Sequence, residues 1–264
     1  MNSEETTIHP SAVIHKDSEL DIGVEIGPFC LIGPKVRIRR GTRIKSHVVL
    51  QGSLDLGEDC RIHPFSTIGV EPQDLKYDGE ETSLRIGDRN IIREYVNISR
   101  GTTGGGGITS IGHDNLIMAY SHIAHDCLIG DCTIFANAST LAGHVQVENH
   151  ANIGAFTGIH QFCRIGKYAY IGGYSVITKD ALPFIITVGN RAKAYSVNIV
   201  GLRRKKFSKE RIGTIKKAMR ILLQSKLNTS QALERLRRDF SVQPEDITYL
   251  IEFIDSSRRG VIKR

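Results

Sequence analysis

Residues 111–177 read IGHDNLIMAYSHIAHDCLIGDCTIFANASTLAGHVQVENHANIGAFTGIHQFCRIGKYAYIGGYSVI, and every sixth position from Ile111 to Ile177 is large and apolar. The set is Ile111, Ile117, Ile123, Ile129, Phe135, Leu141, Val147, Ile153, Ile159, Ile165, Ile171 and Ile177. An earlier run, from Ile8 through Leu20, Ile38 and Leu56 to Ile68, keeps the same step with only Ile and Leu. A helix repeats every 3.6 residues and a strand every 2.0, so neither element alone explains six. The period fits a chain that runs straight, turns a corner and repeats, with one aliphatic side chain per segment pointing inward. Three segments make a triangular coil of 18 residues, and coils stack at ~4.8 Å, the spacing of paired strands. Each coil then buries its neighbour's apolar residues. Gly often follows the inward residue, as at Gly27, Gly112 and Gly154, where it relieves crowding near the corner.

Composition agrees with short strands and many corners. There are 34 Ile against 3 Met and no Trp, and 26 Gly in 264 residues. Ile is stiff at χ1 and favours strands, while Gly supplies turns. With 40% hydrophobic and 24% charged residues the chain is too apolar for disorder. No apolar run is long enough for a transmembrane helix, and MNSEETTIHP has neither the basic nor the apolar region of a signal peptide. Cys30, Cys60, Cys127, Cys132 and Cys163 are odd in number and form no C-x-x-C pair. They read as reduced thiols of a cytoplasmic protein.

Two stretches break the period. Residues 69–85 take the place of three hexads, a whole coil's worth of chain, because Ile86, Ile92 and Ile98 resume in phase. Residues 99–110 (SRGTTGGGGITS) shift the phase by one. Long loops on a rigid repeat tend to be functional. The expected organisation is an all-β coil over 1–190 with those two insertions, followed by a basic α-helical subdomain over 191–264. Beyond Pro183, FSKERIGTIKKAMRILLQS carries a helical stripe of Ile212, Ile215, Met219, Leu222 and Leu223, and two more helical segments follow. Residues 201–264 hold 17 Lys/Arg against 7 Asp/Glu, so the net charge of +7 resides in this tail. That balance attracts an acidic partner. Nucleic acid is disfavoured, because aromatic residues are only 6% and no nucleic-acid motif is present.

Residues 18 apart occupy one spot on successive coils, which puts His125, Gly143 and Gln161 on one ladder. His122, His144 and His160 stand close to it. Histidine is the natural base near neutral pH. Asp126 follows His125, but neighbours on a strand face opposite ways, which leaves open whether it orients the ring. The cluster favours a proton-transfer site over metal binding, since no Cys or carboxylate has ligand spacing. Asp74 and Lys76 present both charge signs from the first insertion. GTTGGGG lacks the G-K-[ST] and following helix of a nucleotide loop.

IGPFC (26–30), QDLKY (73–77), HIAHDC (122–127), LAGHV (141–145), HQFC (160–163) and GLRRK (201–205) closely resemble the UDP-N-acetylglucosamine O-acyltransferase family of lipid A synthesis, over essentially the whole chain. That resemblance implies a left-handed parallel β-helix, a hand that periodicity does not supply and that the usual crossover rule opposes. It further implies a homotrimer and transfer of a 3-hydroxyacyl chain from an acidic acyl carrier protein to the 3-hydroxyl of UDP-N-acetylglucosamine, without cofactor or metal. His125 matches the general base and Gly143 the oxyanion donor. Asp74, Lys76, His122, His144, His160, Gln161, Asn198 and Arg204 match positions that hold the sugar nucleotide or acyl chain, and Gly173 matches the one that sets groove depth. Ser99, Val200 and Lys205 depart from the residues common in that family, which leaves open N-acylation of a UDP 3-amino sugar. Outside acyl transfer, a zinc-dependent carbonic-anhydrase-like hydratase shares the trimeric coil.

Overall fold

The computed structural model describes residues 5–225, 227–240 and 244–263. The coil forms three walls of short parallel strands, with one antiparallel strand, Lys193–Val197, closing the first. The first wall has eleven strands, from Thr7–Ile8 to Lys193–Val197; the second has nine, from Val13–Ile14 to Val176–Ile177; the third has eight, from Glu19–Leu20 to Arg164–Ile165. The inward residues stack in register, as in Ile92↔Ile117, Ile117↔Phe135 and Phe135↔Ile153 on the first wall. Nearly all are fully buried. The architecture is a left-handed parallel β-helix with a helical subdomain.

Corners are built alike. The residue three past most inward positions has positive φ, including bulky ones such as Phe65 (64°), Tyr95 (59°), Asp126 (59°) and His144 (61°). Left-handed backbone costs about 1–2 kcal/mol per residue, while burying one Ile contributes roughly 1.5–3 kcal/mol. One inward aliphatic per segment therefore offsets its corner. In the regular coils the amide two past an inward position has no backbone acceptor, which is why Pro10, Pro28, Pro34 and Pro64 are tolerated there.

Both insertions leave from one edge, between the second and third walls. Ile68 lies in the second wall, and Ile86 pairs directly over Leu56 in the third. No coil is lost. Instead, a corner that normally spans six residues between inward positions spans 18, so the loop is an extrusion of twelve residues rather than a replaced coil. Likewise Ile98 and Ile111 are separated by one corner, carrying seven extra residues. Chain phase alone does not distinguish the two arrangements, because both restore it.

After the coil, α1 (Ile199–Arg204), α2 (Lys209–Gln224), α3 (Thr229–Asp239) and α4 (Glu245–Asp255) follow. Ser208 caps α2, and Asn228 with Gln231 forms a capping box on α3. Ile212, Ile215, Met219 and Leu222 of α2 are buried, as are Ile247, Leu250 and Phe253 of α4. Arg164 of the last third-wall strand lies 4.1 Å from the Phe253 ring centroid, and the Lys167 amide donates to the Tyr249 hydroxyl at 2.9 Å. The tail returns to the coil through Asp180 N–H to Gly260 O and Ile262 N–H to Asp180 O. Among the described residues no helix is long and apolar enough to cross a membrane.

Candidate active site

His125, Gly143 and Gln161 sit at equivalent corners of three successive coils, on the edge that also carries the insertions. His144 N–H to His125 O (3.0 Å) and Phe162 N–H to Gly143 O (3.2 Å) hold that ladder. Asp126 is not on a strand. Its left-handed corner conformation turns the side chain back beside its neighbour, and His125 Nδ1 lies 2.7 Å from Asp126 Oδ2. The question left open by strand alternation is therefore settled by the corner. A carboxylate at Nδ1 keeps the proton there and leaves Nε2 as the basic nitrogen. Only 13% of the His125 side chain is exposed and none of the Asp126 side chain.

Gly143 is buried beneath the His125 imidazole. A Cβ at 143 would stand 2.5 Å from Cε1 and 2.7 Å from Nε2, so only Gly leaves the ring its place. Among the described residues nothing accepts a hydrogen bond from the Gly143 N–H, as the corner geometry dictates. A base nitrogen and a free amide thus share one small space.

Burial weakens the hold of two neighbouring histidines on a proton. Burial pushes the His144 pKa down, despite the opposing pull of Asp126, with smaller contributions from His125 and Asp74. Its ring stacks on Phe162 at 4.4 Å and meets His125 edge-on at 5.2 Å. His122 is likewise lowered by burial and by His125, with Nδ1 2.7 Å from Asn97 Oδ1. His160 and Gln161 are exposed. The donor atoms of His125, Asp126 and His144 lie within 4.8 Å of one another. Asp126 Oδ2, however, already meets His125 at 2.7 Å and takes the Thr102 hydroxyl at 2.6 Å, a set satisfied by protons and poorly suited to a cation.

Both insertions fold over this edge and are tied together. Arg100 donates to the Tyr77 hydroxyl at 2.6 Å and to Gly69 O at 3.0 Å. Asp74 closes a turn by accepting from the Lys76 amide at 3.0 Å, and the Lys76 side chain is solvent-exposed. The Gly-rich segment forms a short turn over Thr103–Gly105 that rests on Asp126. A cavity of about 650 Å³ runs from Asp126 and His144 past Leu128 and Phe162 to Arg258 and Arg259.

A single chain does not bring every expected residue here. Gly173 is exposed on the edge between the first and second walls. Asn198 caps α1, accepting from Gly201 N–H at 3.1 Å and donating to Tyr168 O at 3.0 Å, on the edge between the third and first walls. Arg204, in the last turn of α1, is exposed. Ser99 is fully buried and Val200 is exposed. Sequence spacing missed Thr102, Gly105 and Thr109, whose hydroxyl accepts from the Asp126 amide at 2.8 Å. They lie in or beside an insertion, where the 18-residue rule has no register to work from.

The coil and this edge define a transferase of the hexapeptide-repeat class: residues 108–143 and 144–179 match the bacterial transferase hexapeptide (six repeats) model. Residues 180–262 match the model of UDP N-acetylglucosamine O-acyltransferase, domain 2. The chain is 50% identical over 256 residues to acyl-[acyl-carrier-protein]–UDP-N-acetylglucosamine O-acyltransferase of Thermodesulfovibrio yellowstonii, covering 97% of this chain and 99% of that one. It is also 50% identical to the same-named protein of Alkalilimnicola ehrlichii, over 98% and 100% of the two chains. The structure of LpxA from Acinetobacter baumannii superposes with a TM-score of 0.94 at 42% identity, covering 97% of this chain and 99% of that chain. The protein belongs to the acyl-[acyl-carrier-protein]–UDP-N-acetylglucosamine O-acyltransferase family.

Proposed function

We propose that this acyltransferase moves a 3-hydroxyacyl chain from acyl carrier protein to the 3-hydroxyl of UDP-N-acetylglucosamine, the first step of lipid A synthesis. The observation that carries the mechanism is the Asp126-held imidazole of His125 lying over the Gly143 backbone. Nε2 takes the proton of the sugar hydroxyl as its oxygen attacks the thioester carbon. The carbonyl oxygen becomes an oxyanion, which the free Gly143 N–H stabilises. Collapse breaks the carbon–sulfur bond, and the leaving thiolate recovers the proton from His125. General-base assistance is worth about 10²–10⁴ in rate. Burial pushes the Cys127 thiol up to about 12, so it is no nucleophile, and no acyl-enzyme is required.

Gly173, Asn198 and Arg204 lie on other edges than His125, which supports a homotrimer in which a neighbouring chain completes each site. The basic tail suits an acidic carrier protein. Five free thiols suit a reducing cytoplasm. Mass spectrometry of products from UDP-N-acetylglucosamine, a UDP 3-amino sugar and a mixture of 3-hydroxyacyl carrier proteins tests the reading. An O-acylated UDP-N-acetylglucosamine is expected; turnover of the amino sugar alone would contradict it.

A further inference from the structure

The Gly-rich insertion has a task that its sequence does not announce. Thr102 reaches down from it onto the buried carboxylate that orients the base. Its amide donates to Asp126 Oδ1 at 2.9 Å and its hydroxyl to Oδ2 at 2.6 Å. Oδ2 is the same oxygen that meets His125 Nδ1. Thr102 is itself 7% exposed. Gly105 closes the lid: a Cβ there would stand 2.0 Å from Asp126 Cγ and 2.2 and 2.3 Å from its two oxygens, so backbone lies flat on the carboxylate and water has no room. From below, the Thr109 hydroxyl accepts from the Asp126 amide. One carboxylate is thereby gripped by a segment from outside the repeat.

We propose that Thr102, with Gly105 above it, is a positioning residue for the reaction: it fixes the Asp126 carboxylate and, by sharing Oδ2 with His125, sets how strongly that carboxylate supports the imidazole. The proposal rests on His125 acting as base. Two donors on one oxygen compete for its charge, because each draws on the same lone-pair density. Removing the hydroxyl while the Thr102 amide still holds Oδ1 leaves Oδ2 more fully to His125. The protonated ring is then better stabilised, and a higher pH is needed to free the base. The other ionisable groups facing His125 are His144 on the next coil and His122 on its own segment, with Asp74 beyond His144; the Thr102–Gly107 turn brings none.

Thr102→Val tests this, with Thr102→Ser as the conservative control. Acyl transfer by the Val variant is expected to fall about tenfold in kcat/KM, with the acid limb of its pH profile moved upward, and Ser is expected to restore both. The pH dependence of His125 carbethoxylation by diethylpyrocarbonate, mapped by mass spectrometry, reads the same imidazole without any substrate. It is expected to move in the same direction. Thus a failure of the acyl-transfer reading, seen as an inactive parent enzyme, is distinguishable from a failure of this one. A Val variant whose carbethoxylation profile stays in place or moves down overturns the proposal, whatever its thermal midpoint. Gly105→Ala gives a second variant, expected to lose activity by displacing the carboxylate; full activity there would also overturn it.

Discussion

Two edges of the prism share one backbone and differ in what covers it. On the edge between the third and first walls, several corner amides two past the inward residue are satisfied by a side chain of a neighbouring segment. Asp88 takes the Glu58 N–H at 2.9 Å, Asp131 takes that of His113 at 2.8 Å, and Asn149 takes that of Asp131 at 3.0 Å. On the edge between the second and third walls, the equivalent amide of Gly143 has no protein acceptor among the described residues. The carboxylate present there, Asp126, is instead turned to His125 and pinned by Thr102. At such regular corners, where no proline stands, the fold leaves the amide without a backbone acceptor, and side chains decide whether it is paired.

The sharpest way to break that contrast is to fill the reactive corner. Gly143→Ala drives a Cβ into the His125 ring and is expected to lower kcat about 10²–10³-fold, while the thermal midpoint stays close to the parent's. Equal loss of folding and activity in a melting assay would mean that the Gly serves the coil alone. At the other edge, Asp131→Ala uncaps an amide and is expected to cost about 1 kcal/mol in denaturant unfolding, with turnover per folded chain unchanged. A loss of turnover larger than the loss of stability would show that the two edges are not separable. The smallest effect is expected beside the base: Cys127→Ser keeps the contact to Ala142 O, and steady-state assays should return nearly parental rates. A large drop would revive a covalent route.

The inward Ile ladder was legible because a period of six needs only one residue type per segment, and the ladder of His125, Gly143 and Gln161 because stacking converts 18 residues into one coil. Asp126 was half legible: strand alternation argues against it, and only the positive φ of the corner brings it round. The grip of Thr102 and Gly105 was not legible at all, since an insertion leaves the register that makes spacing informative. The size of the first insertion is not legible for a related reason, as twelve extra residues preserve the phase of six. Gly173 and Asn198 lie on other edges of the coil than His125, because the 18-residue step aligns positions along one edge and says nothing of how different edges meet.

The central claim is that the Asp126-held imidazole removes the acceptor's proton. Steady-state acyl transfer by His125→Ala, measured beside its thermal midpoint and its oligomeric mass, tests it most directly. A loss of roughly 10²–10⁴-fold in kcat with folding and assembly intact is expected. Turnover within a fewfold of the parent would contradict it.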